Sequence, residues 1–225
     1  MEYDKMFTIT RAEVDDFIAN CDPETGVPMS GYEIPSSIAN WPAHGDPSRG
    51  MSYYLAPFYD KNKDGHYRPE EGDYPYYDID NELCHSADQT MDATKEGGNV
   101  IGSILADQVI KGDQTLWWVF NDKGNAHTET GGSAIGLEIR AQAFAFATND
   151  EINNMTFYSY EIINRSTYTL TNTYFSPWTD VDLGYSYDDF VGCDVARGLG
   201  YGYNGNPQDG SGQPEAYGSN PPAVG

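Results

Sequence analysis

The chain has 225 residues, enough for one large domain or for a core with a small appendage. Its 12 basic and 35 acidic residues give a formal charge of −23, which argues against partners read through phosphates, nucleic acid and anionic membrane alike, because both need Lys and Arg. With 39% apolar residues, 24 Gly and 13 Pro, a packed core broken by many turns between short strands is expected.

In chain order, Thr10 and Glu13 form a capping box, and Val14, Phe17 and Ile18 follow at helical spacing. This predicts a short helix from about Arg11 to Asn20. Residues 21–49 are broken by Pro23, Pro28, Pro35, Pro42 and Pro47, so an irregular lead-in is expected. Tyr32, Ile34, Ile38 and Trp41 should pack it on the main body. Residues 78–98 are polar with little periodicity, and 99–110 read as a helix or as two short strands.

From Gln114 the pattern is β. Leu116, Trp117, Trp118, Val119 and Phe120 lie in one run. Over 134–148 the residues alternate, with Ile135, Leu137, Ile139, Ala141, Ala143 and Ala145 on one side and Glu138, Arg140, Gln142, Phe144 and Phe146 on the other. The first set is expected to face the core. Residues 155–164 and 168–178 predict a hairpin around 164–167. Beyond Gly198 the Gly, Asn, Pro and Ser content reads as loop. Successive strands with short links predict an antiparallel β-sandwich or jelly-roll-like body. The chain then divides into a helix and lead-in (1–59), a metal loop (60–75), a connection (76–113), the β body (114–205) and a loop-rich tail (206–225).

The chemistry lies in the run Asp60-Lys-Asn62-Lys-Asp64-Gly65-His66-Tyr67-Arg68-Pro69-Glu70-Glu71. It fits the calcium-loop pattern D-x-[DN]-x-[DN]-G-x5-E at every fixed position. Calcium takes six to eight oxygens at about 2.3–2.6 Å. The alternation of Asp60, Asn62 and Asp64 lets their oxygens converge, Gly65 permits the sharp turn, His66 offers its backbone carbonyl, and Glu71 closes the site. Pro57, Gly72 and Pro75 flank the run and exclude long helices. The loop is therefore of the free-standing, EF-hand-like kind found in dockerins. Arg68 stands at the ninth position, where water or a small polar group is usual, and is expected to weaken binding.

A second acidic run holds Asp180, Asp182, Asp188, Asp189 and Asp194. Five carboxylates this close repel unless a cation sits among them, so a second calcium site is the expectation and a solvated acidic turn the alternative. Other signals fail. Gly200, Gly202 and Gly205 spell GxGxxG, but Asn206 and Pro207 follow where a dinucleotide site needs a helix. His44, His66, His85 and His127 lack zinc spacing, and no carboxylate pair is singled out for acid–base work. An odd count of three Cys excludes a fully paired framework; Cys21 with Cys84 is the pairing suggested. There is no apolar run of transmembrane length, and the N-terminal residues do not form a secretion signal.

The segments MFTITRAEVDDFI, WPAHGDP, LAPFYDKNKDGHYRPEEGDYP, GDQTLWWVFND, IGLEIRAQAFAF and NRSTYTLTNTYFSPWTDVDLGYSYDDFVGCDVARGLGYGYNG together resemble a family of large secreted Bacteroidetes proteins, substrates of type IX secretion. The resemblance implies an exported protein with calcium at Asp60, Asn62, Asp64 and Glu71, a β-rich body carrying the 180–194 segment, and no assigned reaction. Residues 79–109 depart from the pattern as an insertion. The chain ends at Gly225 where relatives continue, so it reads as a fragment of a larger protein. The expectation is an exported or cell-surface calcium-binding structural or adhesive β-domain. No catalytic residue is assigned, no nucleic-acid partner or membrane insertion is expected, and glycans or other surface proteins are candidate partners. The alternative is a carbohydrate-binding or carbohydrate-active extracellular domain, in which Trp117, Trp118, Tyr158, Tyr160, Tyr201 and Tyr203 stack on sugars.

Overall fold

The computed structural model describes residues 5–77, 100–101, 109–124, 126–210, 212, 214 and 216–219. The fold is mainly β, with antiparallel sheets and few helices. Its contacts divide it into two units, residues 1–168 and 169–225, a boundary inside the stretch 114–205 read above as one body.

In the first unit, strands β1 (Phe7–Thr10), β5 (Gln114–Asn121), β6 (Leu137–Ala145) and β7 (Phe157–Asn164) form one antiparallel sheet in the order β1-β5-β6-β7. Strands β2 (Phe58–Tyr59), β3 (Tyr74–Pro75) and β4 (Val100–Ile101) form a second, in the order β3-β2-β4. Helix α1 (Arg11–Ala19) begins where β1 ends: Thr10 Oγ1 accepts the Glu13 N–H (3.2 Å) and the Glu13 carboxylate accepts the Thr10 N–H (3.0 Å). The expected capping box is therefore present. Val14 and Phe17 are the buried residues of that helix. The lead-in packs as expected. Ile38, in the short helix α2 (Ser36–Ala39), and Trp41 are buried, and Tyr32 and Ile34 lie against the same core with Trp117 and Phe58.

The two faces of β6 correct the sequence reading. Cross-strand pairing puts Trp117 opposite Gln142 and Val119 opposite Arg140, so Glu138, Arg140 and Gln142 share the face of the core residue Trp117. All three are buried. They are accommodated because each finds a partner. Arg140 Nε donates to Glu138 Oε1 (2.9 Å), Arg140 Nη2 to the Tyr54 carbonyl (2.7 Å), and Gln142 Nε2 to the Val109 carbonyl (3.2 Å). Ser52 also donates to Glu138, so the lead-in itself seals this face. The apolar set lies on the opposite face, where Ala141 and Ala143 are buried between Leu116 and Trp118 on one side and Tyr158 and Tyr160 on the other. Ile135 precedes the strand and is exposed, and Ile139 is half-buried.

The predicted hairpin is half present. The turn at 164–167 forms, with Asn164 Oδ1 accepting the Ser166 N–H (2.9 Å), but residues 168–178 form no strand. Asn172 has a positive φ of 52° and Pro177 lacks a donor, both of which break a ladder. The structure also corrects the expected loop beyond Gly198. In the second unit β8 (Asp189–Asp194) pairs with β9 (Leu199–Asn204), and β10 (Gln208–Asp209) with β11 (Gly218–Ser219). Gly192 permits the first hairpin: a Cβ there would lie 2.4 Å from the Tyr201 ring, which crosses the strand at that point. Cys21 is a buried free thiol and Cys193 an exposed one; Cys84 lies outside the described residues. So do most of the residues read as an insertion at 79–109. No helix among the described residues is long and apolar enough to cross a membrane.

Candidate metal centres

The loop over 60–71 is organised around a fully buried carboxylate, Asp60. Its Oδ1 accepts the N–H of Lys63 (2.7 Å) and of Asp64 (3.3 Å), and its Oδ2 accepts that of Gly65 (2.7 Å). Lys63 and Gly65 both have positive φ, 64° and 77°, which curls the backbone around Asp60. A second buried carboxylate, Asp73, ties the loop ends by accepting the N–H of Lys61 (2.8 Å) and of Arg68 (2.7 Å). Burial pushes the Asp73 carboxyl up to about 6, against those two hydrogen bonds, with Asp60 and Asp64 adding to the rise. Gly72, φ 102°, rests on the backbone of Gly26, where a Cβ would come within 2.6 Å. His44 Nε2 accepts the Tyr67 N–H (2.9 Å) and holds the loop to the lead-in.

Within this frame the predicted ligands are close but do not form an open cage. Asn62 Nδ2 donates to Glu71 Oε2 (2.5 Å), and Asn62 Oδ1 accepts the Asp64 N–H (3.0 Å). Asp64 Oδ1 accepts the His66 N–H (2.8 Å), while Oδ2 takes the guanidinium of Arg68. The same Nη1 lies 3.4 Å from Glu71 Oε2. A cation therefore already stands between two of the expected ligands, and it belongs to the protein.

The second acidic run assembles differently from its sequence reading. Asp188 and Asp189 come together with Asp209, and their oxygens lie within 4.8 Å of one another. This is the one such trio of His, Cys, Asp or Glu among the described residues. Asp180 and Asp182 are exposed and lie outside it, and Asp194 caps the β8–β9 turn while pairing with Arg197. Asp209 was missed because it stands alone in a Gly- and Pro-rich stretch; only the folded hairpin brings it to the other two.

The trio's geometry is specific. Asp188 Oδ2 accepts the Gly210 N–H (2.9 Å) and Asp189 Oδ2 accepts the Leu183 N–H (2.8 Å). Fully buried Asp209 takes the N–H groups of Tyr185 (3.0 Å) and Tyr217. Gly184, φ 70°, lets the backbone close over it, for a Cβ there would lie 2.2 Å from Asp209 Oδ2. The remaining oxygens, Oδ1 of Asp188 and Oδ1 of Asp189, are buried with no hydrogen-bond partner among the described residues. Arg197 is the only Lys or Arg between 169 and 225, and it is engaged by Asp194. Two orphaned carboxylate oxygens beside a third carboxylate match the donor chemistry of a hard divalent cation. The candidate sugar-stacking rings divide: Trp117 is core, whereas Tyr158 and Tyr160 are exposed with parallel rings, 8° between planes and 6.5 Å between centroids.

No protein-family model matches this chain, and neither a curated protein nor a solved structure does.

Proposed function

We propose that this chain is a calcium-binding structural or adhesive β-domain of an exported or cell-surface protein, part of a larger secreted chain of the type IX secretion class it resembles. The observation that carries this reading is the Asp188, Asp189 and Asp209 trio, with two buried oxygens that have no partner among the described residues. Burying such groups unpaired costs several kcal/mol in a low-dielectric setting, and a bound cation removes the cost. Calcium suits the site because all donors are hard oxygens and the cluster is irregular. The EF-hand-like loop over Asp60, Asn62, Asp64, His66 and Glu71 supplies a second, weaker site. The four-stranded sheet is read as one layer of a sandwich, its outer apolar face suited to a second layer. Calorimetric titration of the full chain tests the proposal: calcium binds the wild type, and Asp209→Asn weakens that binding at least tenfold. Absence of binding in millimolar calcium overturns it.

One observation favours a second reading, a carbohydrate-binding surface. The Tyr158 and Tyr160 rings on β7 are exposed and nearly parallel, and exposed aromatic rings are the groups that stack on a sugar. Affinity electrophoresis against soluble glucans and xylans, with Tyr158→Ala/Tyr160→Ala as the comparison, decides it. Retardation that the double variant abolishes supports a glycan site; equal mobility rejects it.

A further inference from the structure

We propose that Arg68 is an internal counter-ion of the 60–71 loop, which a divalent cation must displace to enter. The inference rests on the calcium reading of this loop. Three expected side-chain ligands carry negative charge, Asp60, Asp64 and Glu71, and the loop chain returns a positive charge at its ninth position. The Arg68 guanidinium contacts both Asp64 and Glu71, bridging the middle of the loop to its closing residue. Asn62 completes the ring by donating its amide nitrogen to Glu71 Oε2. The backbone is set independently. Asp60 and Asp73 are held by five loop N–H groups, none of which involves the Arg68 side chain.

The loop therefore exchanges one cation for another instead of filling an empty cage. Metal entry requires two local moves: the Arg68 side chain leaves, and the Asn62 amide turns its oxygen inward. The Arg68 side chain is 39% exposed, so its route to solvent is open. Binding is weakened by the lost Arg68 contacts, while in the metal-free protein the same contacts hold Asp64 and Glu71 together.

The test is a calcium titration of the full chain followed by 1H–15N spectra. The Gly65 amide reports the loop, because its N–H donates to Asp60 Oδ2, and the Arg68 Nη1–H signals report the guanidinium, because Nη1 contacts Asp64 and Glu71. In wild type the Gly65 shift and the loss of the protected Arg68 Nη1–H signals follow one common curve. Arg68→Gln removes the competing charge and moves the Gly65 midpoint to about tenfold lower calcium. Arg68→Lys, which keeps the charge without the planar fork, falls between them. Equal midpoints in wild type and Arg68→Gln overturn the counter-ion role and leave the calcium loop standing. A Gly65 signal that stays still in every variant at millimolar calcium removes the loop site and the proposal together.

Discussion

The two units bury opposite kinds of material. Residues 1–168 enclose Ile9, Val14, Phe17, Ile38, Trp41, Phe58 and Trp117 in one continuous apolar core. Among the described residues of 169–225, the buried side chains are Leu183 and Asp209. A segment of this size has little apolar surface to remove from water, and it carries seven acidic residues against one basic. Large aromatics that would serve a core, Tyr174 and Trp178 among them, lie at the surface. The lesson is that the hairpins of the second unit are tied by backbone N–H groups converging on carboxylates.

The strongest way to break this contrast is to remove the hub of the apolar core. Trp117→Ala should destabilise the first unit by about 3–5 kcal/mol, by the same amount in calcium and in chelator. Thermal melts in both buffers check it, and a calcium-dependent loss would mean the Trp117 core is coupled to the metal loop at 60–71. Chelation is the converse experiment. A ligand at a hundredfold excess over Kd contributes about 2.7 kcal/mol to the folded state. Limited proteolysis in chelator should therefore cut within 169–225 while the first unit persists; uniform resistance would remove the metal's structural role.

A gentler probe is acid, directed at the charges that the first unit does bury. Burial pushes the Glu138 carboxyl upward, but hydrogen bonds from Ser52 and Arg165 and the charge of Arg140 outweigh it, so the net shift is downward from 4.5. A carboxylate held below its unfolded value contributes stability above that unfolded value, and the contribution disappears as pH falls through the folded one. Glu138→Gln should thus melt below wild type at neutral pH, and the gap should close on acidification below 4.5. A gap constant with pH would show that packing, not charge, holds this residue. Smallest of all, Thr10→Ala should cost about 1 kcal/mol through loss of the helix cap, read as a small shift in melting temperature in either buffer.

Legibility followed the range of each interaction. The α1 helix was readable because its cap and its apolar spacing lie within ten residues. The strands at 114–121 and 137–145 are readable from alternation, with Leu137, Ala141 and Ala143 buried as expected, yet the face of Glu138, Arg140 and Gln142 is buried as well. Sequence period reveals two faces without revealing which one a distant lead-in will cover, and here Ser52 and Tyr54 supply partners to Glu138 and Arg140 from far upstream. The loop ligands were legible as a local template. That Arg68 bridges Asp64 and Glu71 is a rotamer choice no spacing encodes. β9 is illegible because a Gly-Tyr alternation has the composition of a loop until a partner strand is present, and Asp209 because it stands alone in a stretch that, among the described residues, pairs only with 218–219.

Thr10 holds two offices at once, last residue of β1 and N-cap of α1, with no connecting loop between them. Among the described residues β1 is an edge strand paired only to β5, where Phe7 meets Trp117 and Ile9 meets Thr115, and edge strands are the ones most prone to slide. A slide of one residue would turn Ile9 away from the core and draw Thr10 off the Glu13 amide in the same motion. The junction thus works as a checksum: alignment of the sheet is verified by whether the helix can start. A single glycine inserted between Ile9 and Thr10 would leave both elements intact in composition and make it impossible to satisfy the two together.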